Sequence, residues 1–106
     1  MNFMDLFKQV DINKEIKEYK GLSGAVLLDV RTPSEYSEGH IEGSVNIPVQ
    51  TIRNAEDVIE NKETPIYVYC YSGSRSSQAK AALSRMGYKN VKNIGGISAY
   101  SGKVVK

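Results

Sequence analysis

One stretch limits what this chain can fold into more than any other: Ile66-Tyr67-Val68-Tyr69-Cys70-Tyr71-Ser72-Gly73-Ser74-Arg75-Ser76. Ile66 to Tyr69 is a short apolar, β-favouring run that opens after Pro65 and stops at Cys70. Ser74 to Met86 reads as a helix, with Ala79, Ala82, Leu83 and Met86 spaced to face one core. The only cysteine of the chain therefore falls where a strand turns into a helix. A turn rich in serine and glycine at such a place aims backbone N–H groups, and the positive end of the helix, at the sulfur. The expectation is a cradle for an anion with a thiol at its centre.

The rest of the chain repeats this alternation. Phe7 to Val10 is readable as a short first strand, and Asp11 or Asn13 caps a helix from about Ile12 to Tyr19. Ala25 to Val30 is apolar on successive residues up to Asp29, as suits a strand buried on both faces. Thr32-Pro33-Ser34-Glu35 has the pattern of a helix start. Gly39 to Ser44 is a turn, Val45 to Ile47 a brief extended piece, and Val49 to Glu60 a helix with Ile52, Ala55 and Ile59 on one side. Gly87-Tyr88 ends the helix after the cysteine, and Val91 to Ile94 is the last strand. Gly95-Gly96 opens a short helix around Ile97 to Tyr100, and the lysine-tipped tail should fray. The expected fold is one compact α/β domain over residues 1–106, with a mainly parallel sheet covered by helices.

A chain of 106 residues can bury one core without metal or disulfide staples. One cysteine makes no internal disulfide, which fits a reducing compartment. Met1 to Lys8 is interrupted by Asp5 and lacks the apolar region of a signal peptide, and no segment approaches the roughly 20 apolar residues that cross a bilayer. A cytoplasmic protein with no membrane association is the expectation. Residues 1–61 hold 6 Lys/Arg against 11 Asp/Glu, whereas residues 62–106 hold 8 against Glu63 alone. The thiol loop thus lies in a basic half that favours anionic ligands or an acidic partner, unless its lysines are only solvated helix backs. The basic residues are dispersed with no base-reading motif, which argues against nucleic acid. One cysteine and one histidine offer no metal-ligand spacing.

Cys70, Gly73, Arg75 and Ser76 form a Cys-x-x-Gly-x-Arg-Ser pattern that resembles the active-site loop of the rhodanese (sulfurtransferase) family. Leu28-Asp29-Val30-Arg31 is similar to that family's Leu-Asp-Val-Arg strand end. Glu35-Tyr36, Gly39 to Ser44 and Asn46-Ile47-Pro48 resemble its next segment, and Gly87-Tyr88, Val91 and Gly95 to Tyr100 its ending. The likeness spans about residues 28–100, with Tyr100 where tryptophan is usual and Ser44 where alanine is usual.

The resemblance implies a rhodanese-like fold, with helices on both faces of the sheet, in which Cys70 is the catalytic nucleophile and carries a persulfide. It implies that Tyr71, Ser72, Gly73, Ser74 and Arg75 form the substrate-binding loop, with no metal or organic cofactor. Its partners would be a small anionic sulfur donor and a thiol or protein sulfur acceptor. Related phosphatases use a Cys-x5-Arg ring, and the shorter Cys-x4-Arg spacing here implies a cradle for one sulfur atom. A lone cysteine is usually a small buried core residue, but its place before this turn argues for reactivity. Arg75 either contacts the anion or braces the loop against a carboxylate such as Asp29. His40, in its Gly-His-Ile turn, reads as a structural hydrogen-bonding residue, and Asp29 with Arg31 as a pair near the sheet edge. Glu35 and Glu38 read as helix-start and solvent residues. The competing readings are a sulfur carrier or binding module with little turnover, and then a phosphatase or arsenate reductase.

Overall fold

The computed structural model describes residues 10–106, so most of the strand expected over Phe7 to Val10 falls outside the described residues. Asp11 caps α1 (Ile12–Lys20) by accepting from the Asn13 amide at 3.0 Å, and buries Ile12 and Ile16 on one side. β1 (Val26–Asp29) follows, then α2 (Pro33–Glu38). Thr32 and Glu35 complete the expected capping box around Pro33. β2 (His40–Ile41) and β3 (Val45–Asn46) are two residues each. β4 (Ile66–Cys70), α4 (Ser74–Arg85) and β5 (Val91–Gly96) complete the main frame.

Four strands form one parallel sheet in the order β3-β1-β4-β5. Because side chains alternate across a strand, β4 sends Ile66, Val68 and Cys70 to one face and Tyr67 and Tyr69 to the other. The first face is covered by Ala79 and Leu83 of α4, together with Ile52, Ala55 and Ile59. The second, which also carries Ile94 of β5, is covered by Ile12 and Ile16 of α1 and by Ile41 of β2. The sheet thus carries helices on both faces, as expected. All five residues of β4 are buried, so this central strand has little freedom to move its last residue, Cys70.

Two expectations fail. Val49 to Glu60 is not one helix: a 3-10 helix (Val49–Asn54) is broken at Thr51 (φ −119°, ψ 32°), and only α3 (Ala55–Val58) is α-helical. Ile52, Ala55 and Ile59 still face the core, because that spacing serves either kind of turn. The tail does not fray either. β6 (Val104–Val105) pairs antiparallel with β2, setting His40 opposite Val105 and Ile41 opposite Val104. Between β5 and β6, Ile97–Ala99 forms the short terminal 3-10 helix.

His40 is structural, as expected: its ring stacks on Tyr36 with centroids 3.7 Å apart, and Nδ1 bonds the Tyr36 carbonyl at 2.8 Å. Ser44 bears more than packing. Its Oγ accepts from the buried Tyr69 hydroxyl at 3.2 Å, and that same hydroxyl accepts from the Ile41 amide at 3.0 Å. Burial, first of all, pushes the Tyr69 phenol well above its ordinary range. Ser44→Ala leaves a buried O–H without its acceptor. It should lower stability by about 1–2 kcal/mol in urea denaturation, and an unchanged midpoint would show that the bond contributes nothing.

Candidate active site

Cys70 ends β4 between β1 and β5, at the carboxyl edge of the parallel sheet where α/β folds place their chemistry. Its side chain shares the α4 face of the sheet and is 1% exposed. Gly73 precedes α4 at φ 112°, a conformation that glycine adopts without the usual Cβ penalty. That geometry turns the Gly73 N–H onto Sγ at 3.0 Å. Ser76 lies on the buried stripe of α4 with Ala79 and Leu83, so its hydroxyl also faces the sulfur, at 3.5 Å. Burial alone would push the thiol up. The hydroxyl and amide of Ser76 and the amides of Gly73 and Ser72 outweigh it, holding the thiol below the ordinary cysteine range.

The loop is anchored from β5. Cys70 pairs with Gly96 beyond a register shift, and the Ser98 N–H donates to the Tyr71 carbonyl at 3.1 Å. Tyr71 itself is 55% exposed, and Ser72 and Ser74 are also exposed. Of the expected loop residues, Ser72 and Gly73 therefore meet the sulfur through their backbone, while the side chains of Tyr71 and Ser74 face outward. An open groove of about 370 Å³ runs along the other flank of the loop, between Ser72-Gly73 and Gly95-Gly96, and Cys70 is not part of its wall.

Of the two alternatives for Arg75, the structure shows a brace against a carboxylate, which is Glu35 and not the Asp29 given as an example. The guanidinium holds Glu35 with bonds of 2.6 and 3.1 Å. Asp29 is already taken: both of its oxygens accept from Arg31, whose Nη2 also reaches the Gly39 carbonyl at 2.7 Å. The expected Asp29–Arg31 pair is thus present, and both residues are buried. Glu35 is more than a helix-start residue, since it closes the capping box and clamps α2 to the thiol loop. The Arg75 guanidinium, then the Thr32 amide and hydroxyl, hold its carboxyl at about 2 against the effect of burial. Glu35 first, and Cys70 among the rest, raise the pKa of Arg75, so the guanidinium stays a fixed positive charge.

Asn93 is the residue that the sequence reading missed. From β5 its Oδ1 accepts from the Ser76 hydroxyl at 2.7 Å and the Gly95 amide at 3.0 Å, while Nδ2 donates to the Gly73 carbonyl at 3.1 Å. The available signal was an amide side chain inside an otherwise strand-like run. No group of three or more metal-ligating side chains occurs among the described residues, and no helix among them is long and apolar enough to cross a membrane.

A buried thiol held below its ordinary range by backbone amides and a hydroxyl thus ends a parallel strand of an α/β scaffold. The Rhodanese-like domain family matches residues 12–103, and the chain belongs to that family. It is 39% identical over 71 residues to thiosulfate sulfurtransferase PspE of Escherichia coli, covering 66% of this chain and 68% of that protein. It is also 39% identical over 79 residues to a putative sulfur carrier protein, YrkF of Bacillus subtilis, covering 73% of this chain but 42% of that one. Among solved structures, a rhodanese with anions from E. coli superposes with TM-score 0.73 at 36% identity, covering 77% of this chain and 98% of that chain.

Proposed function

We propose that this protein is a sulfurtransferase that moves sulfane sulfur through a Cys70 persulfide. The observation that carries the reading is the Gly73 N–H on Sγ, backed by the Ser76 hydroxyl, in a ring of four residues between Cys70 and Arg75. The thiolate attacks the outer sulfur of thiosulfate or of a persulfide. A sulfur–sulfur bond forms at Cys70, the donor's bond to that sulfur breaks, and the electron pair leaves with sulfite or with a thiolate. A thiophilic acceptor then takes the outer sulfur and returns the electron pair to Cys70. The loop offers no lysine and only a braced arginine, so thiosulfate is the weaker donor and a persulfide the stronger. Tyr71, Ser72, Gly73, Ser74 and Arg75 form the wall that the donor meets. The acceptor is a thiol or a protein, and the setting is a reducing one such as the cytoplasm, where a lone thiol persists.

A second reading, a sulfur carrier with little turnover, is favoured by the 1% exposure of Cys70 and by the likeness to YrkF. Cyanide separates the two. With donor in excess, the sulfurtransferase reading expects thiocyanate to form over many cycles per protein. A single stoichiometric release, or none from a loaded protein, would leave the carrier.

A further inference from the structure

Ser76 has one hydroxyl proton and three acceptors around it: Asn93 Oδ1 at 2.7 Å, the Gly73 carbonyl at 3.0 Å and Cys70 Sγ at 3.5 Å. The residue is fully buried, so water does not compete for that proton. The other bonds of Asn93 fix its orientation. The Gly73 carbonyl requires a donor, and the Gly95 N–H requires an acceptor, so the side-chain oxygen is the atom that faces Ser76. The Gly73 carbonyl already receives the Ser77 amide at 3.1 Å and Asn93 Nδ2, which fill its two lone pairs. The hydroxyl is left with two partners, Asn93 and the sulfur.

The charge on the sulfur decides between them. A thiol is a weak acceptor, whereas a thiolate accepts a charge-assisted bond about twice as strong as a neutral one. We infer that Asn93 is a positioning residue: it holds the Ser76 hydroxyl while the Cys70 sulfur is uncharged and yields it when the sulfur is a thiolate. Yielding leaves nothing unpaired, because Oδ1 keeps the Gly95 amide. The catalytic consequence rests on the sulfurtransferase reading. The hydroxyl turns to the sulfur as the thiolate attacks, and again as the outer sulfur departs and the electron pair returns to Sγ. In the persulfide the charge lies on the outer sulfur, and the hydroxyl goes back to Asn93.

Iodoacetamide alkylation of Cys70 as a function of pH tests the exchange without any sulfur donor. The wild-type midpoint should lie below the reference thiol value of about 8.5. Ser76→Ala removes the donor to the thiolate and should raise the midpoint by about one unit. Asn93→Ala removes the competing acceptor and should lower it by about half a unit. A merely structural Asn93 gives the opposite sign, since loss of the bond to the Gly73 carbonyl would loosen the Gly73 amide from Sγ. On a Ser76→Ala background, Asn93→Ala should leave the midpoint unchanged. Asn93→Asp, which keeps the shape, guards against a misfolded alanine variant. It should raise the midpoint both by its own negative charge and by holding the hydroxyl harder, and the second part of that rise should vanish without Ser76. The other charged groups near the thiol, namely Arg75 on α4, Glu35 on α2, and Asp29 and Arg31 at the end of β1, are the same in every variant, and only Asn93→Asp adds a charge. A raised midpoint in folded Asn93→Ala, or an aspartate effect of equal size with and without the serine hydroxyl, would overturn the inference. If the shifts appear in a protein that accepts no sulfur, the exchange stands and the sulfurtransferase reading falls.

Discussion

Gly96→Ala is expected to break the thiol loop, because among the described glycines it is the one whose added methyl group would strike backbone atoms at less than 3.0 Å. A Cβ at Gly96 would fall below 3.0 Å from the Tyr71 carbonyl carbon and oxygen and 2.5 Å from Ser72 Cα. All three are backbone atoms, so no side chain can rotate away. The Gly96 backbone itself is ordinary extended chain (φ −130°, ψ 147°), and the penalty is therefore contact, not torsion. To make room, β5 must part from β4 at the Cys70–Gly96 pairing, or the loop must lift and give up the Ser98 bond to Tyr71. Either movement draws the Gly73 N–H away from Sγ. Overpacking of this kind costs about 1–3 kcal/mol, or a Tm lower by roughly 5–20 °C in a domain of this size. The alkylation midpoint of Cys70 should rise toward about 8.5 in whatever fraction stays folded. Wild-type Tm together with a wild-type midpoint would mean that the loop does not rest on Gly96.

The contrast between Gly96 and its neighbours shows what the sequence could reveal. Gly95-Gly96 is readable as a turn, but only the fold shows that the thiol loop crosses directly over the second glycine. The strand–thiol–helix order was legible because β4 is uniformly apolar and α4 keeps a helical stripe, both of them local patterns. The capping box at Thr32 was legible for the same reason: its bonds join residues three apart. The β2–β6 pair was not. Two-residue strands have no periodicity, and Val104-Val105 acquires its partner only after the chain has passed through the whole sheet.

The partner of the Arg75 brace was hidden for the same reason. Asp29 is the carboxylate named from the sequence and Glu35 reads only as a helix-start residue, but Arg31 saturates Asp29 and Glu35 takes the arginine. The helix expected over Val49 to Glu60 satisfied its core spacing while Thr51 broke its backbone, so burial pattern alone could not give its continuity.

The other large effect is the loss of sulfur loading in Cys70→Ser. A serine hydroxyl at this position stays protonated at neutral pH, because the amides that favour a thiolate stabilise an alkoxide by far too little. It also cannot form the sulfur–sulfur bond on which transfer depends. Cys70 is the only cysteine in the chain, so no other thiol can carry the sulfur or collapse a persulfide into an internal disulfide. Cysteine and serine are close in size, and Val68, Ala79 and Leu83 pack around either, so the variant should remain folded. Intact mass after incubation with thiosulfate, and separately with a low-molecular-weight persulfide, reads the result directly. The wild type should gain the mass of one sulfur atom from the persulfide, and to a lesser extent from thiosulfate, and lose it on addition of cyanide. Cys70→Ser should gain nothing from either donor. A wild-type protein that stays at its starting mass with both donors, or a serine variant that still gains sulfur, would contradict the assignment of Cys70 as the sulfur-accepting nucleophile.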